Sequence, residues 1–590
     1  MGEADGARER WVDELMGRMA LEHKIGQMCV FGFCGPVVTP DVVELIRRYH
    51  IGGLRVTTKF RGLSMLSDLG PGVELPAFKQ RSLRRPAGTS RDYADNQRPI
   101  ACTPSQYAET LNRLRTMACE RAVPVPLHCA CDQEGNAVDD IVIGQRLFPH
   151  PMAYAAAGDP ALTERCALAI ARQLRAVGID MIHSPVLDVN VDPRNPEVGT
   201  RAYGDDPQTV ITHALATLRG FAATGLVATG KHFPGRGDST ADAHHGLPAV
   251  DCDAATLREL HIRPFKALID HGLPAIMMAH SRYPGIGVDE APASATRAVI
   301  EDLLRGELGF TGVVETDNMM MGGVLKLWDV VEACIRTVEA GSDLVLLRDE
   351  GPVRLEVWQG LYDAVRSGRI AESRIDASVK RILRMRHDMG LAADGGRVDP
   401  AAAEDPIAAP TTRAAAREIA ERSALVLRDR SGLLPLARDA RLLLVEQVFP
   451  THLHANNHYS HPGLLWEALA QRTEHVAAVE VPYRPGPADL ERVAYRLEHE
   501  PCDAIITTAY YYHKDGPGGA AVRELLARCG KPLVVLSNSP YRFAIEDELD
   551  TVITIFHPGA PEHMHAAAAI MLGELTPSAR VPVRLDQAAR

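Results

Sequence analysis

Residues 231–250 read KHFPGRGDSTADAHHGLPAV and gather more reactive groups than any other stretch of the sequence. Lys231 and His232 lead into a glycine-rich polar loop that carries Asp238, Asp242, His244 and His245. A carboxylate two residues before an imidazole can orient the ring and stabilise its protonated form, so Asp242 and His244 suit general acid and base work near neutral pH. His232, Asp238, His244 and His245 could instead converge on a metal ion, although no recognised zinc spacing is present. A further carboxylate, Asp317, ends the run GVVET. An aspartate there either does chemistry or caps a helix, a task that Asn318 could take over. Asp132, Asp188 and His280 also end or follow apolar runs.

Groups so far apart in sequence need a scaffold that brings them to one place. Eight strand-like runs, 28–32, 51–56, 126–131, 179–187, 226–232, 275–280, 312–316 and 343–347, alternate with amphipathic helical stretches. That alternation predicts a closed (β/α)8 barrel of the TIM type. Barrel enzymes place their chemistry at the C-terminal ends of the strands, where these polar residues fall. The barrel domain is read as 1–388, with an insertion at about 57–102 that is far longer than an ordinary βα connection. That insertion is either a lid at the catalytic rim or a decoration. Residues 389–412, rich in Gly, Pro, Ala and acidic groups, read as a linker. From 413 to 590 the runs 441–448, 475–482, 503–510, 532–537 and 550–556 predict a smaller, doubly wound α/β sandwich. Within it THLHANNHYSH clusters His452, His454, His458 and His461, either solvated or in contact with a metal or substrate.

The length of 590 residues agrees with two domains. A formal charge of −12 and a pI near 6.0 leave no footprint for nucleic acid and suit a neutral or cationic small ligand. The N-terminal stretch is charged and amphipathic rather than signal-like, and no apolar run approaches bilayer length. A soluble cytoplasmic protein with no membrane partner is expected, monomeric or homodimeric. Its 11 scattered cysteines are expected to be reduced.

The run KHFPG-x-GD, then D-x-H, then LP, closely resembles the signature of the family 3 β-N-acetylglucosaminidases. GELGFTGVVETDNMMMGG, CDQEGN and VLDVNVDPRNPEVGTRAYG resemble further stretches of the same glycoside hydrolase family. The likeness spans roughly residues 10 to 390, with weaker echoes beyond. It implies Asp317 as the covalent nucleophile, His244 as the proton donor and Asp242 as its partner. Asp132 and Arg201 are implied as sugar-hydroxyl ligands, and Lys231, His232 and His280 complete the sugar-holding set. The implied reaction is retaining hydrolysis of a terminal N-acetylamino sugar from a small-molecule glycoside, without metal or organic cofactor.

Two departures from the pattern follow. The usual D-Q-E-G-G-R-V-x-R reads DQEGNAVDD here, so a glycine becomes Asn136 and an arginine becomes Asp140. An anion at 140 could contact the sugar and welcome an ammonium group, or could point away, cap the following segment or pair with an arginine of the 57–102 insertion. The histidine often found between the glycines of GHGD is Arg236. Neither departure is expected to touch the catalytic pair. Other readings are a glycosidase for an amino-sugar intermediate of a specialised metabolite, a family 3 phosphorylase and, from another class, a sugar-binding protein without turnover.

Overall fold

In a computed structural model, the described residues are 3–58, 102–136, 138–239, 241–243, 246–348, 350–448, 463–482, 485–512, 516–517, 519–541 and 549–585. Most of the 57–102 insertion, both His244 and His245, and the four histidines of THLHANNHYSH lie outside them.

The strands in chain order are β1 (Cys29–Cys34), β2 (Gly53–Thr57), β3 (His128–Cys131), β4 (Gln133–Gly135), β5 (Val138–Asp139), β6 (Met181–Ile182), β7 (Val227–Phe233), β8 (Ala275–Met278), β9 (Val313–Thr316) and β10 (Val345–Leu347). Eight of them form one parallel sheet in the order β10-β1-β2-β3-β6-β7-β8-β9. The parallel bridge Glu315–Leu344 joins its two ends into a barrel. All eight expected strands are present. β4 and β5, a short antiparallel hairpin that follows Asp132, were not foreseen.

The strands read as near-continuous apolar runs because they are covered on both faces. Val30, Leu54, Cys129, Ile276 and Val314 are all fully buried. The outer helices start where the sequence supplies a cap. Thr103, Asp159 and Asp206 each accept a backbone N–H through the side chain, and each precedes a proline at the first helical position.

Residues 389–412 carry the short helical turns Leu391–Asp394, Pro400–Ala402 and Asp405–Ala408. They lie along the barrel, where Asn112 exchanges hydrogen bonds with the backbone of Val398 at 2.7 and 3.0 Å. The second sheet contains β11 (Leu425–Asp429), β12 (Leu442–Val448), β13 (Val476–Pro482), β14 (Ala504–Ala509), β17 (Leu533–Ser537) and β18 (Thr551–Thr554), with a small hairpin of β15 (Tyr511–Tyr512) and β16 (Gly516–Pro517) outside it. Its order is β11-β18-β17-β14-β12-β13, parallel except for β11. Leu442 and Leu444 pack on one face and Leu443 and Val445 on the other, so apolar cores cover both sides. Among the described residues no helix is long and apolar enough to cross a membrane.

The two domains meet along an apolar seam of Met152, Ala153 and Ala156 against Leu425, Tyr541, Phe556 and Val583. Beside it the side-chain amide of Asn190 donates to the Tyr541 hydroxyl at 2.7 Å. Asn190 follows Asp188 by two residues, so the second domain reaches the C-terminal rim of the barrel.

Candidate active site

Asp132, at the end of β3, is the most heavily supported carboxylate of the rim. Lys231 donates to its Oδ1 at 2.9 Å, and the buried guanidinium of Arg55 on β2 pairs with its Oδ2. Burial opposes its charge, but Arg55 and Lys231 outweigh that and hold the carboxyl well below the usual carboxylate range. Glu134, in β4, pairs with Lys231 and receives a two-pronged contact from Arg201 at 2.7 and 2.9 Å. Against the cost of burial, Arg201 and Lys231 draw its pKa down to about 2. Arg201 and Lys231 are therefore each held by a carboxylate network that fixes their side chains.

Below this layer lies His183, with Nδ1 3.3 Å from Asp132 Oδ1 and Nε2 3.2 Å from Glu315 Oε2. Burial disfavours its charge, but Glu315 and Asp132 prevail and raise it to about 9. An imidazolium thus ties the strand that ends in Asp317 to the carboxylate of Asp132.

Asp140 is turned inward. Its side chain is 3% exposed, pairs with Arg55, and accepts the backbone N–H of Asp132 at 2.8 Å. Arg55 belongs to β2 rather than to the insertion, and Arg348 Nη2 lies 3.8 Å from the other carboxylate oxygen of Asp140. Asn136 adopts φ 51°, in the left-handed region that asparagine tolerates best after glycine, which accounts for the exchange of residue types there.

Asp317 follows β9 and presents a side chain that is 15% exposed. Its Oδ1 accepts the N–H of Asn318 at 2.7 Å. Asn318 Oδ1 accepts from the backbone N–H groups of Met320 and Arg348, so Asn318 caps the local turn. His232 Nε2 lies 3.9 Å from Asp317 Oδ2. His232 is oriented by Asp188, whose Oδ2 is 2.7 Å from Nδ1. Burial and the neighbouring Arg236 push its pKa well below the ordinary histidine value, so it is a neutral ring. Asp188 itself is raised to about 6 by burial, partly offset by Arg236. His280 is buried at the end of β8, with Nδ1 2.8 Å from Ser294 Oγ, and burial lowers it to about 4.

The expectation that Arg236 stays clear of the residues expected to do the chemistry does not hold for Asp317. Its Nη1 is 3.7 Å from Asp317 Oδ2, and its Nη2 is 2.7 Å from His232 Nε2 and 2.8 Å from Glu197 Oε1. The reason is the cramped turn at its loop: a Cβ on Gly237 would sit 1.7 Å from the carbonyl oxygen of Val189, so the loop hugs the rim and drives the side chain inward.

The loop that carries the D-x-H pair is held at its middle residue. Ala243 donates its N–H to Glu197 Oε2 at 3.3 Å, and its carbonyl accepts from Gly323 N at 2.8 Å. Asp242 beside it is buried. A Cβ on Gly323 would meet the carbonyl oxygens of His280 at 2.8 Å and Gly246 at 3.0 Å, both backbone atoms that cannot swing aside. Gly323→Ala is therefore expected to displace this loop, lowering kcat/KM by about 10- to 100-fold while thermal melting changes little. Steady-state kinetics beside a melting curve checks it, and unchanged kcat/KM sinks the anchoring role.

Asp132, Lys231, Arg201, His232, His280, Asp317 and Asp242 thus share the C-terminal rim of one barrel. Glu134, Arg55, Glu197 and Arg236 belong with them and were not named as site residues. Arg55 and Glu315 sit inside apolar strand runs, and the only advance signal was their charge in such a setting. Among the described residues no group of three or more His, Cys, Asp or Glu side chains is arranged to hold a metal ion.

The family model described as the glycosyl hydrolase family 3 N-terminal domain matches residues 20–385. The chain belongs to glycoside hydrolase family 3. This family 3 chain is 30% identical to Beta-hexosaminidase A of Pseudoalteromonas piscicida over 437 residues, 70% of the chain and 65% of that relative's length. It is 28% identical to the Beta-N-acetylglucosaminidase/beta-glucosidase of Cellulomonas fimi, over 79% of the chain and 78% of the relative. Among solved structures, a family 3 β-N-acetylglucosaminidase from a Paenibacillus species superposes with a TM-score of 0.81 at 28% identity, covering 96% of the chain and 99% of that structure.

Proposed function

We propose that the chain is a retaining, exo-acting β-N-acetylhexosaminidase that releases a terminal N-acetylamino sugar. The observation that carries the reading is the meeting at one rim of Asp317 with the D-x-H loop, which Ala243 ties directly to Gly323 beyond Asp317. In the first step Asp317 attacks C1 while His244, protonated and partnered by Asp242, donates to the departing oxygen. In the second, His244 takes a proton from water, which displaces Asp317 and leaves the anomeric configuration retained. Asp132, Arg201, Lys231, His232 and His280 hold the sugar. Asp140 acts one layer lower, keeping Arg55 and the backbone of Asp132 in place, and its pairing there argues against a contact with substrate ammonium.

The names of its relatives support the hexosaminidase assignment, and the turnover of aryl β-glycosides differing at C2 tests it. The N-acetylglucosaminide should be preferred over the glucoside, and a reversed preference overturns the assignment. Running the same series with inorganic phosphate reads phosphorolysis directly.

His244→Ala should lower kcat/KM by about 10²- to 10⁴-fold on glycosides with poor leaving groups. Activated aryl glycosides, which need little protonation, should lose far less. A uniform loss across leaving groups would remove His244 as the acid.

A further inference from the structure

Arg236 stands where the family signature often has histidine, and its guanidinium is directed at the proposed nucleophile. The residue is 2% exposed, and Nη1, 3.7 Å from Asp317 Oδ2, has no hydrogen-bond partner among the described residues. Leaving a buried charged N–H without a hydrogen bond is costly, and the carboxylate of Asp317 stands in front of this one. Arg55, Lys231 and Arg201, cations of the same rim, are directed to Asp132, Asp140 and Glu134. His232, which also lies beside Asp317 Oδ2, is a neutral ring that accepts from Arg236.

The opposite side of Arg236 is anchored by Glu197. Glu197 Oε1 takes Arg236 Nη2 at 2.8 Å, and its Oε2 accepts from Ala243 N at 3.3 Å, between Asp242 and His244. A single salt bridge therefore links the carboxylate of Asp317 to the backbone of the loop that carries the proposed acid and base.

We propose that Arg236, held by Glu197, is a positioning residue that favours the second half of the reaction by stabilising Asp317 as a leaving carboxylate. The inference rests on the reading of Asp317 as nucleophile. In the first half an oxygen lone pair of Asp317 forms the bond to C1, while the C1–aglycone bond breaks and its electron pair takes the proton of His244. The anion facing Arg236 is consumed, so the guanidinium favours the starting state. In the second half the oxygen of water bonds to C1, its proton goes to His244, and the C1–Asp317 bond breaks with its electron pair returning to the carboxylate. The anion is regenerated in front of Arg236, so the same guanidinium lowers that barrier. Histidine would supply this only when protonated, whereas arginine remains cationic throughout the working pH range.

The test begins with wild-type protein and an activated fluoro-glycoside inactivator. Labelling of the peptide bearing Asp317 upholds the nucleophile reading, and labelling elsewhere or not at all overturns that reading and the inference built on it. With labelling established, rapid mixing with a dinitrophenyl N-acetyl-β-glucosaminide resolves the burst, which reports glycosylation, from the steady state, which reports deglycosylation. Arg236→Met is expected to slow the steady state by about 10- to 100-fold, the scale of one oxyanion-stabilising donor, with the burst rate unchanged or raised. The glycosyl-enzyme should then accumulate, and Arg236→Lys should recover part of the loss. Glu197→Gln, which keeps the cation but loosens its anchor, should show a smaller loss with the same bias. Equal slowing of both halves, or no recovery with lysine, overturns the inference. Should Arg236→Met fail to fold, Arg236→Lys and Glu197→Gln decide alone, because a purely structural role would slow both halves alike.

Discussion

Asp317→Ala is expected to lower kcat by at least about 10⁴-fold with little change in thermal melting, because the residue is proposed to form the covalent bond to the sugar. Its side chain stands at the rim, 15% exposed, and accepts the N–H of the adjacent Asn318, so the fold is expected to tolerate its loss. Asp317→Asn should be as inactive, since the amide keeps that acceptor but lacks the nucleophilic charge. Added azide should restore part of the turnover of Asp317→Ala by attacking C1 directly, giving a glycosyl azide of inverted configuration. Residual activity above about one-hundredth of wild type, with retained configuration and no help from azide, is incompatible with the assignment.

The second large effect is expected on stability. Glu134 is buried and holds two cations, Arg201 and Lys231, in the same layer. Glu134→Ala leaves both guanidinium and ammonium short of a counter-charge away from water, which typically costs about 3–5 kcal/mol. Glu134→Gln, which retains acceptor oxygen but not charge, should fall between. Chemical denaturation of the three proteins measures the series. Because Lys231 also supports Asp132, KM should rise in the alanine variant if it folds. An alanine variant as stable as wild type would mean that water satisfies the two cations, and the rim would not be the closed network described.

Much of the barrel was legible because parallel strands covered on both faces must be apolar along their length. The runs around Val30, Ile276 and Val314 could hardly be anything else. What escaped were elements that break this rule. Leu425–Asp429 is an edge strand, antiparallel and only half-buried, so its alternation is weak. The Gln133–Gly135 and Val138–Asp139 hairpin is too short for any period to show. The rim residues that end strands were visible because polarity at a strand end is conspicuous. Arg55 and Glu315 were not, since a charge within an apolar run gives no sign of its partner. Nor can sequence reveal that Glu197 and Arg236 meet, as their loops follow the paired strands β6 and β7 and no local pattern records which way each side chain turns. The departures at Asp140 and Arg236 were both noticed, but charge alone did not tell which of them faces the reaction.

The seam between the domains bears on how the chain comes to be made. Met152, Ala153 and Ala156 belong to the barrel, whereas their cover comes from Tyr541, Phe556 and Val583, far later in the sequence. On a ribosome the barrel emerges first and carries an uncovered oily stripe until the second domain has been synthesised and has folded. Through that interval the nascent chain is exposed to sticking, to itself or to its neighbours. A chaperone, or simply rapid completion of translation, would matter more for this protein than the stability of its finished form suggests.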